Sequence, residues 1–153
     1  MQTSDPIIRI SVPDQRLDLL SGDSLIASYP VSTSRFGLGS EEGSMKTPLG
    51  KFRIGEKIGA EVPSGTIFRS RVPLAPDDLP PQTDDFVLTR ILWLDGLEEH
   101  NANTRDRFIY IHGTNHEEEI GQPASHGCIR MKNADLIALF DQVPLGAEVV
   151  ISS

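Results

Sequence analysis

Short apolar runs separated by turn residues fill the first third of the chain. Segments 7–12 (IIRISV), 16–20 (RLDLL) and 24–33 (SLIASYPVST) read as strands, and the intervening PDQ and SGD are turn material. This pattern predicts a β-meander. Segment 51–58 (KFRIGEKI) and the closing EVVIS (148–152) read as further strands. Segment 86–94 (FVLTRILWL) is apolar almost throughout, so periodicity alone leaves a buried strand and a short buried helix equally open. Segment 108–113 (FIYIHG) reads as a strand ending at a histidine. One helix is expected near residues 133–141, with Asn133 as its N-cap and Leu136, Ile137 and Phe140 on one face.

Two connections exceed the usual length. Residues 35–50 are glycine-rich and polar and predict a flexible loop. Residues 71–85 carry four prolines and predict a long surface loop, a cleft wall or a mobile lid. Neither interrupts the β pattern, and no repeat appears. The expectation is one mainly β domain over residues 1–153 with a single C-terminal helix.

Charge narrows the partners. The formal net charge is −8, which opposes a phosphate backbone, so no nucleic-acid partner is expected. No basic amphipathic stretch or long apolar span predicts membrane insertion. The first fifteen residues lack the apolar core of a secretory signal. A cytoplasmic location is expected if the chain is complete, and a periplasmic one if a signal has been trimmed. A monomer is expected. The single cysteine excludes an intramolecular disulfide.

Residues 109–131 hold three of the four histidines and the only cysteine, so the reactive chemistry concentrates there. Cys128 lies in SHGCIRM. A thiol becomes a nucleophile when a cation or imidazole favours the thiolate, and Arg130 and Lys132 bring positive charge close. Gly127 lets a carbonyl approach the backbone, where the N–H groups of Gly127 and Cys128 are candidate oxyanion donors. Arg130 has the fork geometry to hold a carboxylate. His112, at a strand end, is the candidate base, and no carboxylate is placed to orient it, which leaves a backbone carbonyl, such as that of Gly113, as the candidate partner. The bland alternatives are a buried structural cysteine and a structural histidine. His116 and His100 are expected in solvated loops, and Trp93 is either core or a cleft wall.

The sharp rival is zinc, with His112, His116, His126 and Cys128 as four ligands. Only one residue separates His126 from Cys128, which suits a tetrahedron poorly. No metal and no cofactor is therefore expected. A zinc-stabilised or non-catalytic binding domain remains the alternative.

IHGT followed by SHGCIRM resembles the signature of the L,D-transpeptidases of the YkuD type. TPLGKFRI is similar to that family's Thr-Pro-x-Gly-x-Phe turn, and the final helix and strand are similar to its ending. The resemblance covers nearly the whole chain. It implies a YkuD-like β-sandwich with a small helical part. It implies that Cys128 attacks the diaminopimelate carbonyl of a peptidoglycan tetrapeptide stem, releasing D-alanine and leaving a thioacyl enzyme. His112 would act as base and then acid, held by Gly113. Ser125 and His126 would shape the site, Gly127 would help bind the oxyanion, and Arg130 would pair with a substrate carboxylate. Stem peptides or free muropeptides would be the partners, and carbapenems would acylate the thiol. With water as acceptor the same site is an L,D-carboxypeptidase.

Overall fold

The computed structural model describes residues 5–75 and 86–153. Strands β1 (Pro6–Ser11), β2 (Arg16–Ser21) and β3 (Ser24–Ser32) form the predicted antiparallel meander. Then follow β4 (Gly50–Ile58), the hairpin β5 (Ile67–Arg69) and β6 (Val72–Pro73), β7 (Val87–Gly96), β8 (Tyr110–Gly113), β9 (Ile129–Met131), helix α1 (Asn133–Gln142) and β10 (Glu148–Ser152). The strand order is β4-β10-β1-β2-β3-β9-β8-β7-β5-β6, and β4 also pairs with β7. That last pairing closes eight strands into a ring and leaves β5–β6 outside it.

Alternation of side chains explains how the core and the site separate. Ile8, Ile10, Leu17, Leu19, Phe52, Ile54, Leu92, Leu94, Ile111 and Ile129 enter one core with Leu136, Leu139 and Phe140 of α1. The opposite face of β7 and β8 carries Ile91, Trp93 and Tyr110, which pack with Phe68, Val62 and Cys128 in a second cluster. Segment 86–94 is thus a strand whose two faces meet two clusters, and this accounts for its unbroken apolar run.

Several expectations need correction. Asn133 is the first residue of α1, not its cap; Lys132 occupies the cap position without a side-chain cap bond. Glu117 caps the helix instead, its carboxylate accepting the Asn133 N–H at 2.7 Å. Leu139 replaces Ile137 in the buried helix face, because Ile137 is only half-buried. Phe108 lies before β8 with φ of +58°, and the strand begins at Tyr110. Val72 and Pro73 are a hairpin strand rather than loop, while residues 76–85, the rest of the expected lid, lie outside the described residues. The 35–50 loop is anchored rather than free. Thr47 is fully buried, and the Ser34 N–H donates to its Oγ1 at 2.9 Å.

Candidate active site

β8 and β9 run parallel, with His112 beside Arg130 and Ile111 beside Ile129. Ile111 and Ile129 point into the core, so Tyr110, His112, Cys128 and Arg130 fall on the other face. The β7–β8 register shifts between Leu88 and Ile91, which sit opposite Gly113 and His112. Thr89 and Arg90 fill this bulge, and Thr89 has φ of +77°, a conformation costly for a β-branched residue. Thr89 Oγ1 donates to Asn133 Oδ1 at 2.5 Å and accepts the Gly65 N–H at 3.0 Å. These bonds hold the bulge beside the histidine.

His112 is buried, and its Nδ1–H donates to the Gly113 carbonyl at 2.5 Å. In that tautomer Nε2 is the basic nitrogen. Gly113 is fixed on its other side, since a Cβ there would stand 2.1 Å from Asn133 Oδ1 and 2.7 Å from the Leu88 carbonyl. Cys128 is half-buried. Its Sγ lies 3.4 Å from the Phe108 carbonyl and 3.4 Å from the Tyr110 N–H.

The chain before Cys128 is braced from within. Ser125 Oγ donates to the Cys128 carbonyl at 2.6 Å and accepts the Gly127 N–H at 3.2 Å. Gly127 has φ of +125°, which favours glycine, and its carbonyl accepts Thr47 Oγ1 at 3.0 Å. His126 is exposed, with Arg35 donating to its Nε2 at 3.0 Å and the Phe36 ring 5.8 Å away. Arg130 is 2% exposed, with Nη1 3.7 Å from a Glu119 carboxylate oxygen. It lies beneath the surface, so it is a cation under the site rather than an open fork.

Other groups at the site escaped the sequence reading. Arg107 donates to the Lys46 carbonyl at 2.8 Å and to the Gly39 carbonyl at 3.3 Å, tying the 35–50 loop to the site. Burial lowers its guanidinium pKa, opposed by the charges of Cys128 and Glu41. Burial raises the Tyr110 phenol, opposed by a hydrogen bond from Arg71. Trp93 is a site wall, its ring meeting Tyr110 edge-on at 5.6 Å. No signal beyond residue type marked Arg71, Arg107 or Tyr110; Thr47 was visible only as part of the Thr-Pro turn.

The four ligands of the rival zinc reading do not converge as a set among the described residues. His116 instead groups with Glu118 and Glu119, their ligand atoms within 4.8 Å of one another. His116 is half-buried rather than freely solvated, with Nδ1 3.5 Å from a Glu118 oxygen. His100 is exposed, as expected.

Residues 5–151 match the L,D-transpeptidase catalytic domain family, YkuD. YkuD of Bacillus subtilis is 28% identical over 145 residues, 95% of this chain and 65% of its own length. YqjB of Bacillus subtilis is 47% identical over 53 residues, 34% of this chain and 30% of its own. The chain therefore spans less than two thirds of either relative. L,D-transpeptidase 3 from Mycobacterium tuberculosis, solved in complex with a faropenem-derived adduct, superposes with a TM-score of 0.60 at 14% identity, covering 97% of this chain and 60% of that one. The family match, the shared fold and the β8–β9 arrangement agree, and the chain belongs to the YkuD family of L,D-transpeptidase catalytic domains.

Proposed function

We propose that this chain is a cysteine acyltransferase of peptidoglycan metabolism, acting on the bond between diaminopimelate and the terminal D-alanine of tetrapeptide stems. The observation that carries this reading is the His112 Nδ1–H bond to the Gly113 carbonyl, on the strand parallel to β9, which Cys128 immediately precedes. It fixes the tautomer that leaves Nε2 as a base, without any carboxylate.

His112 removes the Cys128 proton, and the thiolate attacks the diaminopimelate carbonyl carbon. The backbone N–H of Cys128 is the oxyanion donor; the Gly127 N–H, also expected in that role, is taken by Ser125 Oγ, so Gly127 shapes the turn instead. Ser125 and Thr47 hold that turn rigid by their bonds to Cys128 and Gly127. As the tetrahedral centre collapses, the carbon–nitrogen bond breaks. His112 returns its proton to the departing amine of D-alanine. The thioester then meets an acceptor. An amine gives a cross-link or an exchanged D-amino acid, and water gives a carboxypeptidase; in each case His112 takes the acceptor proton and the thiol re-forms. Arg107 and Arg130 supply positive charge that favours the thiolate. His126 lines the exposed rim. The faropenem-derived adduct on the M. tuberculosis protein supports acylation of Cys128 by penems and carbapenems as well.

The alternative is a domain that holds muropeptide without turnover, or one stabilised by zinc. Mass spectrometry of the protein with disaccharide-tetrapeptide, with and without excess D-amino acid, separates these readings. Loss of D-alanine to water identifies a carboxypeptidase, and its replacement by the added amino acid identifies a transpeptidase. Cys128→Ala is expected to abolish both while keeping the fold. Turnover by that variant, or none by the parent, overturns the proposal.

A further inference from the structure

Arg71 forms the tip of the β5–β6 hairpin. Arg69 pairs with Val72, so Ser70 and Arg71 are a two-residue turn, with φ of +49° and +67°. Hairpin turns with two positive φ values favour Asn and Gly. Here a serine and an arginine hold the strained positions, and backbone strain of this kind gathers at functional sites.

The turn lays the guanidinium on the aromatic cluster that also holds Cys128. The guanidinium carbon lies 4.8 Å from the Trp93 ring and 5.0 Å from the Phe108 ring, and Nη1 donates to Tyr110 Oη at 3.0 Å. Phe108 and Tyr110 are the same residues whose backbone groups contact Cys128 Sγ. Arg71 is therefore held by the side chains of the two residues that cradle the sulfur. Arg16, Arg53 and Arg105 each pair with carboxylates in this acidic chain. Among the described residues, no carboxylate ion pair includes Arg71. One of the five N–H donors of its guanidinium goes to Tyr110, and the aromatic contacts fix its plane.

Resting on the function proposed above, we propose that Arg71 receives a carboxylate of the donor stem peptide and sets the enzyme's preference for acidic stems. Two carboxylates flank the scissile bond. One is the terminus of the leaving D-alanine, and the other is the free carboxyl group of diaminopimelate. A neutral stem lacking the matching carboxylate leaves a charged donor without its acceptor, which is the stronger form of discrimination.

The test compares tetrapeptide stems that are unmodified, amidated at the D-alanine terminus, or amidated at diaminopimelate. Each is turned over by the parent, by Arg71→Gln and by Arg71→Lys. With the unmodified stem, Arg71→Gln is expected to raise KM about tenfold with kcat held within about twofold, as for loss of one charged hydrogen bond, and Arg71→Lys to restore part of it. For the amide that removes the recognised carboxylate, the parent loses about the same factor and Arg71→Gln adds nothing. Which amide behaves so identifies the source. An unchanged KM in Arg71→Gln, or an equal penalty from that variant on all three stems, overturns the inference while the parent's turnover still upholds the function. No turnover by the parent overturns both.

A second readout needs no stem peptide. Alkylation of Cys128 by anionic iodoacetate, relative to neutral iodoacetamide, is expected to fall severalfold in Arg71→Gln. An unchanged ratio counts against an anion station beside the thiol. Should Arg71→Gln fail to fold, the parent's response to the two amides decides: equal KM values for all three stems overturn the inference.

Discussion

Thr47 Oγ1 donates a hydrogen bond to the carbonyl of Gly127, a residue 80 positions further along the chain. The same oxygen accepts the Ser34 N–H, so one buried hydroxyl joins the end of the meander, the glycine-rich loop and the loop that carries Cys128. Thr47→Val keeps the shape and removes both bonds, leaving a buried donor and acceptor unsatisfied. A loss of about 2 kcal/mol is expected from urea unfolding, and Thr47→Ser is expected to recover most of it. On the function proposed above, a drop in kcat should accompany Thr47→Val, because the segment carrying Cys128 loses its brace.

Gly113 offers a second test. An alanine Cβ there would stand 2.1 Å from Asn133 Oδ1 and 2.7 Å from the Leu88 carbonyl, so strand or helix must move. Gly113→Ala is expected to cost about 3 kcal/mol in thermal or denaturant unfolding. It also displaces the carbonyl that orients His112, so on the function proposed above turnover should fall along with stability.

The helix start depends on a residue 16 positions away. Glu117 Oε2 accepts the Asn133 N–H at 2.7 Å and Asn133 Nδ2 at 3.1 Å. Glu117→Ala is expected to destabilise the protein by about 1 kcal/mol, the usual loss for a helix cap. A melting temperature equal to the parent's would show that another group takes over the cap.

Glu98 gives a signed pH dependence. The Lys51 N–H bond holds its carboxyl below the ordinary 4.5, helped by His100 and opposed by desolvation. A carboxyl lowered in the folded state stabilises it above the unfolded value, and this contribution is lost as pH falls from about 4.5 through the folded value. Glu98→Gln should therefore flatten the acid limb of stability measured by denaturant midpoints between about pH 5 and 3. A parallel limb in the variant would assign the loss to other carboxylates.

The meander, the final strand and the presence of the helix were legible because alternation and turn residues act locally. That His112 lies at the end of one strand and that Ser125 and Cys128 lie just before its neighbour follows a compact local motif, so their placement was open to a local reading. Other features depend on contacts that no local pattern records. Asn133 carries the composition of a cap, but Glu117 reaches the helix first, which frees the amide side chain to meet Thr89 and the Thr114 carbonyl. The 35–50 loop has a flexible composition, yet Thr47 and Arg107 fasten it. Arg130 offered a fork by residue type, but the β8–β9 register buries it beneath the site. Arg71 meets Trp93 and Tyr110 only because a hairpin distant in sequence folds over them.

A closed ring has no outermost strand to peel away. β9, only three residues long, is held in it by β3 on one side and β8 on the other. The amide hydrogens of β9, which follow Cys128, are therefore expected to exchange with solvent slowly, in step with opening of the ring. The β5–β6 hairpin hangs outside, attached to β7 by two residue pairs. Hydrogen exchange is therefore expected to read two levels of protection, the higher in β8 and β9 and the lower in the hairpin that carries Arg71.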